Sequence, residues 1–135
     1  MNEARIVAAA RAAVGAPFRL HGRTIAHGLD CVGLVALALA GAGYSGPVPT
    51  GYALRTGESG IGDDWAKLAG LEPGPAGAGA ILLAQAGPGQ LHLAIDSGTG
   101  VIHADAWLRR VVERPGAPPW PIRRRWHYRT GLEDS

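Results

Sequence analysis

The chain has 135 residues, of which 47% are hydrophobic, and its formal net charge is +2. This length suits one ordinary domain with a buried core, so we expect residues 1–135 to form a single domain. A charge so close to balance excludes a strong nucleic-acid signal. The one cysteine, Cys31, excludes an internal disulfide.

The N-terminus does not have the pattern of a targeting signal. Glu3, Arg5 and Arg11 interrupt its apolar residues, whereas a signal peptide has a basic start followed by an uncharged apolar core. The longest apolar stretch follows Cys31 and is too short to span a bilayer. We therefore expect a chain that is made in the cytoplasm without a signal peptide and that does not contact a membrane.

Three helices are predicted in the first half of the chain. Residues 2–14 are rich in alanine, carry apolar residues at helical spacing, and precede a glycine-containing loop over 15–29. Asp30 is a suitable N-cap for a second helix, because its carboxylate can accept hydrogen bonds from the first free amides. Since residues 32–40 are apolar nearly all round, we expect this helix to be buried. A short helix is predicted over 63–69.

The second half of the chain changes to short apolar runs separated by Gly- and Pro-containing turns. Such runs predict β-strands joined by hairpins, here over 80–84, 91–95, 101–104, 108–113 and 124–129, with the last strand at an edge. Helices followed by an antiparallel meander predict an α+β fold.

Cys31 lies at the predicted start of the buried helix. Free amides and the partial positive charge of a helix N-terminus favour a thiolate, and a neighbouring imidazole favours it further. We therefore expect Cys31 to be held as a thiolate nucleophile. Taken alone, Cys31 is equally well explained as a small buried hydrophobic residue.

Two histidines strengthen the catalytic interpretation. His92 and His103 each interrupt the apolar pattern of a predicted strand, and antiparallel neighbours can bring two side chains to one face. A catalytic triad needs such a pair, because one group accepts the proton of the nucleophile and another orients that base.

Three segments together resemble the NlpC/P60 cell-wall cysteine peptidases. They are GAPFRLHGRTIAHGLDCVGLV over residues 15–35, LHLAID over 91–96 and VIHAD over 101–105. The resemblance implies a papain-like fold in which Cys31 is the nucleophile, His92 the general base and His103 the orienting residue.

The resemblance also implies an activity. It implies hydrolysis of an amide bond in a peptidoglycan stem peptide, often between D-γ-glutamate and a diamino acid, with no cofactor. The short form without a signal peptide is similar to a subgroup encoded with phage tails and gene transfer agents. That likeness implies phage-like tail proteins as partners and delivery to the cell wall on a tail-like particle.

The chain departs from the family pattern beside the nucleophile. The tyrosines of the family block are replaced by Phe18 and Leu20, and leucine cannot donate a hydrogen bond to an oxyanion. We therefore take His21 and Asp30 as candidates for oxyanion or substrate contacts, with the backbone amide of Cys31 as the other donor.

Other interpretations stay open at this point. The same triad would serve an amidase or an acyltransferase, a decayed triad would leave a structural tail component, and one cysteine with two histidines would bind zinc. Arg123, Arg124 and Arg125 form the one dense basic run, which indicates a solvated face or a contact for an anionic cell wall. In the loop over 44–60, Tyr52 and Arg55 are candidate contacts for a carboxylate-bearing peptide.

Overall fold

The computed structural model describes residues 2–49 and 62–129. The predicted contacts of Tyr52 and Arg55 lie outside these residues. The helices are α1 (Asn2–Ala12), α2 (Cys31–Gly41) and α3 (Asp63–Leu68). All three lie where the sequence predicts them, with α1 ending two residues early.

Helix α2 is a buried helix that begins directly behind its cap. The carboxylate of Asp30 accepts a hydrogen bond of 2.8 Å from the amide of Gly33, which satisfies one of the orphan donors of the first turn. Helix α1 packs against α2 through a buried face that includes Ile6 and Ala10. The predicted burial of α2 is confirmed, since even Leu34 and Leu39 on its sides are inaccessible to solvent.

Within residues 2–49 and 62–129, eight strands form two antiparallel sheets. They are β1 (Arg23–Thr24), β2 (Gly28–Leu29), β3 (Leu71–Pro73), β4 (Ile81–Gly87), β5 (Gln90–Asp96), β6 (Gly100–Asp105), β7 (Arg110–Pro115) and β8 (Ile122–Tyr128). The small sheet pairs β1 with β2, and the large sheet has the order β3-β8-β4-β5-β6-β7. The predicted meander and the α+β fold are therefore confirmed.

The structure corrects the prediction for the last strand. Strand β8 is not at an edge, because it lies between β3 and β4. Strand β3 is missing from the sequence-based prediction, since it is short and ends in Pro73 within a turn-rich segment. Proline removes a ladder donor, which is tolerated at this edge position. The β1–β2 hairpin lies within what the sequence predicts as a loop.

The two faces of the large sheet are covered differently. One face packs against the helices in the main core, which includes Ile81, Leu93 and Ile102. The other face carries a small cluster of buried residues, with Trp120 and Ile122 packed against it. None of the helices in the described part of the chain is long and apolar enough to cross a bilayer.

Strands β5 and β6 separate where the candidate site forms. Their described ladder contains only the pairs Ile95↔Ile102 and Asp96↔Val101, next to the hairpin turn. Both strands continue well beyond these pairs, toward His92 on β5 and His103 on β6. Helix α2 contacts both strands, and its first residue, Cys31, lines the same cavity as the two histidines.

Candidate active site

Cys31, His92 and His103 line one cavity of about 520 Å³. They come from three different elements, namely the first turn of α2, strand β5 and strand β6. The structure therefore brings the three predicted triad residues together. The rest of the described lining consists of Phe18, Ala86, Gln90, Leu91, Ala104, Asp105, Ala106, Trp107 and Trp120.

The thiol of Cys31 is buried, and burial decides its protonation state. Loss of solvent raises its pKa to about 12, although backbone amide hydrogen bonds, that of Leu93 foremost, act in the opposite direction. The negative charge of Asp30 raises the pKa further. Burial of the thiol therefore acts against the resting thiolate that the sequence predicts and favours a neutral thiol, while the amide hydrogen bonds favour the thiolate.

The amide of Leu93 reaches Cys31 because the β5–β6 ladder stops early. The amide of Asp96 donates to the carbonyl oxygen of Ala80, the residue directly before β4, at 2.9 Å. Amide directions alternate along a strand, so the amide of Leu93 points away from β4 and toward the β6 side. No β6 partner lies opposite it in the described ladder. This donor is thus directed at the sulfur, where it would stabilise a developing thiolate.

His92 and His103 form a direct pair. Nε2 of His92 lies 3.1 Å from Nδ1 of His103, and the two rings are nearly perpendicular at 89°. If His92 is to accept a proton at Nδ1, its Nε2 must carry the hydrogen and donate to Nδ1 of His103. Nδ1 of His92 then has the lone pair that can accept the proton of the Cys31 thiol. The ring hydrogen of neutral His103 lies on its Nε2.

Both histidines are held in the neutral form by their surroundings. Burial lowers the pKa of His92 to about 4, with a further contribution from the positive form of His103, while Asp105 acts in the opposite direction. Burial also lowers the pKa of His103, where Asp105 again opposes the shift and Arg114 adds to it. A neutral imidazole is the form that can act as a general base.

Asp105 belongs to the turn beside the histidines. Its carboxylate accepts hydrogen bonds from the amides of Trp107 (2.9 Å) and Leu108 (3.0 Å), so it organises the β6–β7 turn. Trp107 projects from this turn with 92% of its surface exposed.

Trp120 covers the histidine pair. Its ring centroid lies 4.9 Å from that of His92 and 4.8 Å from that of His103, both in edge-to-face geometry. It comes from the β7–β8 connection, where prolines precede and follow it. Its proline-rich context indicates a fixed loop, but nothing in it indicates contact with the histidines.

Asp30 and His21 lie next to the start of α2, the helix that carries the nucleophile. Besides capping α2, the buried carboxylate of Asp30 accepts a hydrogen bond from the backbone amide of His21 (2.7 Å) and pairs with Arg23 (3.2 Å). His21 has a left-handed backbone with φ of 62°, and its exposed side chain is outside the described cavity lining. Their predicted oxyanion or substrate roles stay predictions, and the observed contacts position the start of α2.

Metal binding at this site has no geometric support. Within residues 2–49 and 62–129, no three His, Cys, Asp or Glu side chains are grouped so that they would hold a metal ion. The two imidazoles contact each other directly through the nitrogens described above. The arrangement places a thiol and an oriented imidazole pair in one cavity, and these are the groups that general-base activation of a thiol requires.

Comparison with known proteins gives a structural match. Neither protein-family profiles nor curated protein sequences match the chain. A crystal structure of the NlpC/p60 domain of the peptidoglycan hydrolase SagA is similar, with a TM-score of 0.56 and 24% sequence identity. The alignment covers 85% of this chain and 90% of that one. The chain therefore has the fold of an NlpC/p60 domain.

Proposed function

We propose that the protein is a cysteine endopeptidase of the NlpC/P60 type that hydrolyses an amide bond in peptidoglycan stem peptides. The observation that carries this proposal is the His92–His103 pair on the wall of the cavity that contains Cys31. The likeness to the NlpC/p60 domain of a peptidoglycan hydrolase supports the choice of substrate.

The geometry supports acylation by general-base catalysis. As Sγ of Cys31 attacks the acyl carbon, Nδ1 of His92 takes the thiol proton and the acyl oxygen becomes an oxyanion. His103 stabilises the resulting imidazolium by accepting a hydrogen bond from Nε2 of His92. We assign the oxyanion contacts to backbone amides at the start of α2, where Cys31 lies.

Release of the amine and then hydrolysis of the thioester complete the cycle. The imidazolium of His92 gives its proton to the leaving amine as the carbon–nitrogen bond breaks, which leaves a thioester on Cys31. Water then attacks the thioester, and His92 takes one proton from that water and gives it to the sulfur as the carbon–sulfur bond breaks. The product leaves as a carboxylic acid, which loses the other proton of the water to solvent.

Peptide cleavage fits the cavity better than glycan cleavage. Glycosidases generally need two carboxyl groups that flank the glycosidic bond. Asp105 is the one carboxylate in the described lining of this cavity, and it is engaged in a turn. We therefore place the cut in the stem peptide, with the bond between D-γ-glutamate and the diamino acid as the expected target.

The proposal is tested by digestion of diaminopimelate-type peptidoglycan. Mass spectrometry of the soluble products should show shortened stem peptides with new free α-amines, and Cys31→Ala should give none. New reducing sugars without new amines would contradict the proposal. Absence of products from folded protein would favour a structural role with a decayed site. Delivery to the wall on a tail-like particle stays a prediction from the family resemblance.

A further inference from the structure

A second cavity lies beside the candidate active site. It has a volume of about 310 Å³, and its described lining consists of Gly62, Asp63, Leu83, Gln85, Gly89, Leu91, Arg123 and Arg124. Leu91 lines this cavity and also the cavity of Cys31 and His92. The two cavities are therefore adjacent, so a peptide held in the first lies beside the second.

A β-bulge brings two consecutive arginines to this cavity. Strand β8 pairs with β4 at Leu83↔Arg124 and then at Ala84↔Ile122, with a register shift between the two pairs. Arg123 is therefore the extra residue of a bulge. In a regular strand adjacent side chains point to opposite faces, but a bulge re-aims them. Both Arg123 and Arg124 consequently line the same cavity.

The two arginines differ in how their charge is balanced. Arg124 forms an ion pair with Asp63 at 3.2 Å. Arg123 donates a hydrogen bond of 3.0 Å to the side-chain oxygen of Gln85, which is neutral. In the described part of the chain, no carboxylate is paired with Arg123. Its guanidinium has five N–H donors, so most of its donors remain for a ligand.

Gln85 fixes the position of this cation. Its amide nitrogen donates to the carbonyl oxygens of Gly87 and Gln90, which form the turn of the β4–β5 hairpin. The same hairpin carries Leu91 and His92. Arg123 is therefore oriented by the element that presents the general base, and not by an independent surface loop.

We propose that this second cavity binds a carboxylate of the substrate, with Arg123 as the recognising residue. The proposal rests on the proposed function, because stem peptides carry several free carboxylates close to the scissile amide. A guanidinium forms paired, charge-assisted hydrogen bonds with a carboxylate and loses them when the ligand is a carboxamide. Arg123 thus selects for acidic over amidated stem peptides.

Binding measured without turnover tests this proposal. The protein is Cys31→Ala, and the probes are a synthetic stem tetrapeptide and analogues in which each carboxylate is replaced in turn by a carboxamide. Isothermal titration should show about tenfold weaker binding for one of the amides, as expected for loss of a charge-assisted pair. Adding Arg123→Gln should weaken binding of the acidic peptide similarly and abolish the preference.

Arg125→Gln is the matched control in the same basic run. Arg125 pairs across the sheet with Leu82, a member of the small cluster on the other face, so this variant should keep the preference. Equal affinity for the acid and for every amide would overturn the proposal, as would a preference that survives Arg123→Gln or no binding of any peptide. Selective binding without hydrolysis by the Cys31 protein would overturn the proposed function alone.

Discussion

Nε2 of His92 lies 3.1 Å from Nδ1 of His103, although the two residues are not partners in the β5–β6 ladder. The register set by Ile95 and Ile102 makes them diagonal neighbours on one face of the sheet. Because the described ladder ends before it reaches either histidine, the rings and not the backbones connect the two strands here. The contact between the two side chains therefore orients His92.

The first prediction concerns His103 as the orienting residue. His103→Ala should lower kcat by roughly 10²- to 10⁴-fold, because the base loses the acceptor that selects its tautomer, while Cys31→Ala should leave no turnover. His103→Asn keeps an acceptor oxygen and should retain more activity than His103→Ala. The measurement is the steady-state rate of amine release from a stem peptide. Equal activity of the Asn and Ala variants would argue against an orienting hydrogen bond.

The second prediction concerns the ionisation of Cys31. Since burial raises the pKa of its thiol to about 12, the thiol is protonated at neutral pH and should react with iodoacetamide more slowly than a free cysteine. The thiolate is the reactive form, so the rate should keep rising as the pH passes above 9. Mass spectrometry of the alkylated protein over a pH series gives these rates. A fast, pH-independent reaction near pH 6 would instead indicate a resting ion pair.

The third prediction concerns Trp120 and the acid limb of the pH profile. Burial keeps the pKa of His92 at about 4, so the imidazole stays neutral and kcat/KM is retained well below pH 6.5. Trp120→Ala admits water to both rings, which should raise the pKa of His92 toward its ordinary value near 6.5. Activity at pH 5 relative to pH 7.5 should then fall by about tenfold.

Several charged groups face the histidines and set the direction of this change. Asp105 favours the positive form of His92 and of His103, whereas Arg114 opposes it at His103.

Trp120→Phe keeps an aromatic cover and should preserve the acid limb. Trp107→Ala removes a side chain from the same cavity that is 92% exposed, and should also preserve it. A uniform loss at every pH in Trp120→Ala would indicate only a structural role.

The fourth prediction concerns Asp30 as the cap that places Cys31. Asp30→Ala removes the acceptor of Gly33 and of the His21 amide and leaves Arg23 without this carboxylate. The free energy of unfolding should fall by about 2 kcal/mol, the upper range for a lost N-cap, as measured by urea denaturation. Asp63→Ala is the control, because α3 begins without a side-chain cap bond, and it should change stability by less than about 0.5 kcal/mol. Similar losses in both variants would contradict the capping role.

Much of this fold follows from short-range signals in the sequence. Asp30 before an apolar run predicts the cap and start of α2, and the short apolar runs around His92 and His103 predict their strands. The order of helices and strands then predicts the α+β class. The edge position predicted for β8 is wrong, because strand order in a sheet depends on pairing between segments far apart in the chain.

The sequence by itself determined the candidate triad, since the types and local patterns of Cys31, His92 and His103 indicate their chemistry. Tertiary structure decided the state of that site. Burial raises the pKa of the Cys31 thiol and so acts against the expected thiolate, Trp120 packs on both histidines from a distant connection, and a bulge turns Arg123 toward the second cavity. These features depend on desolvation and on long-range strand register, whereas capping and periodicity act within a few residues along the chain.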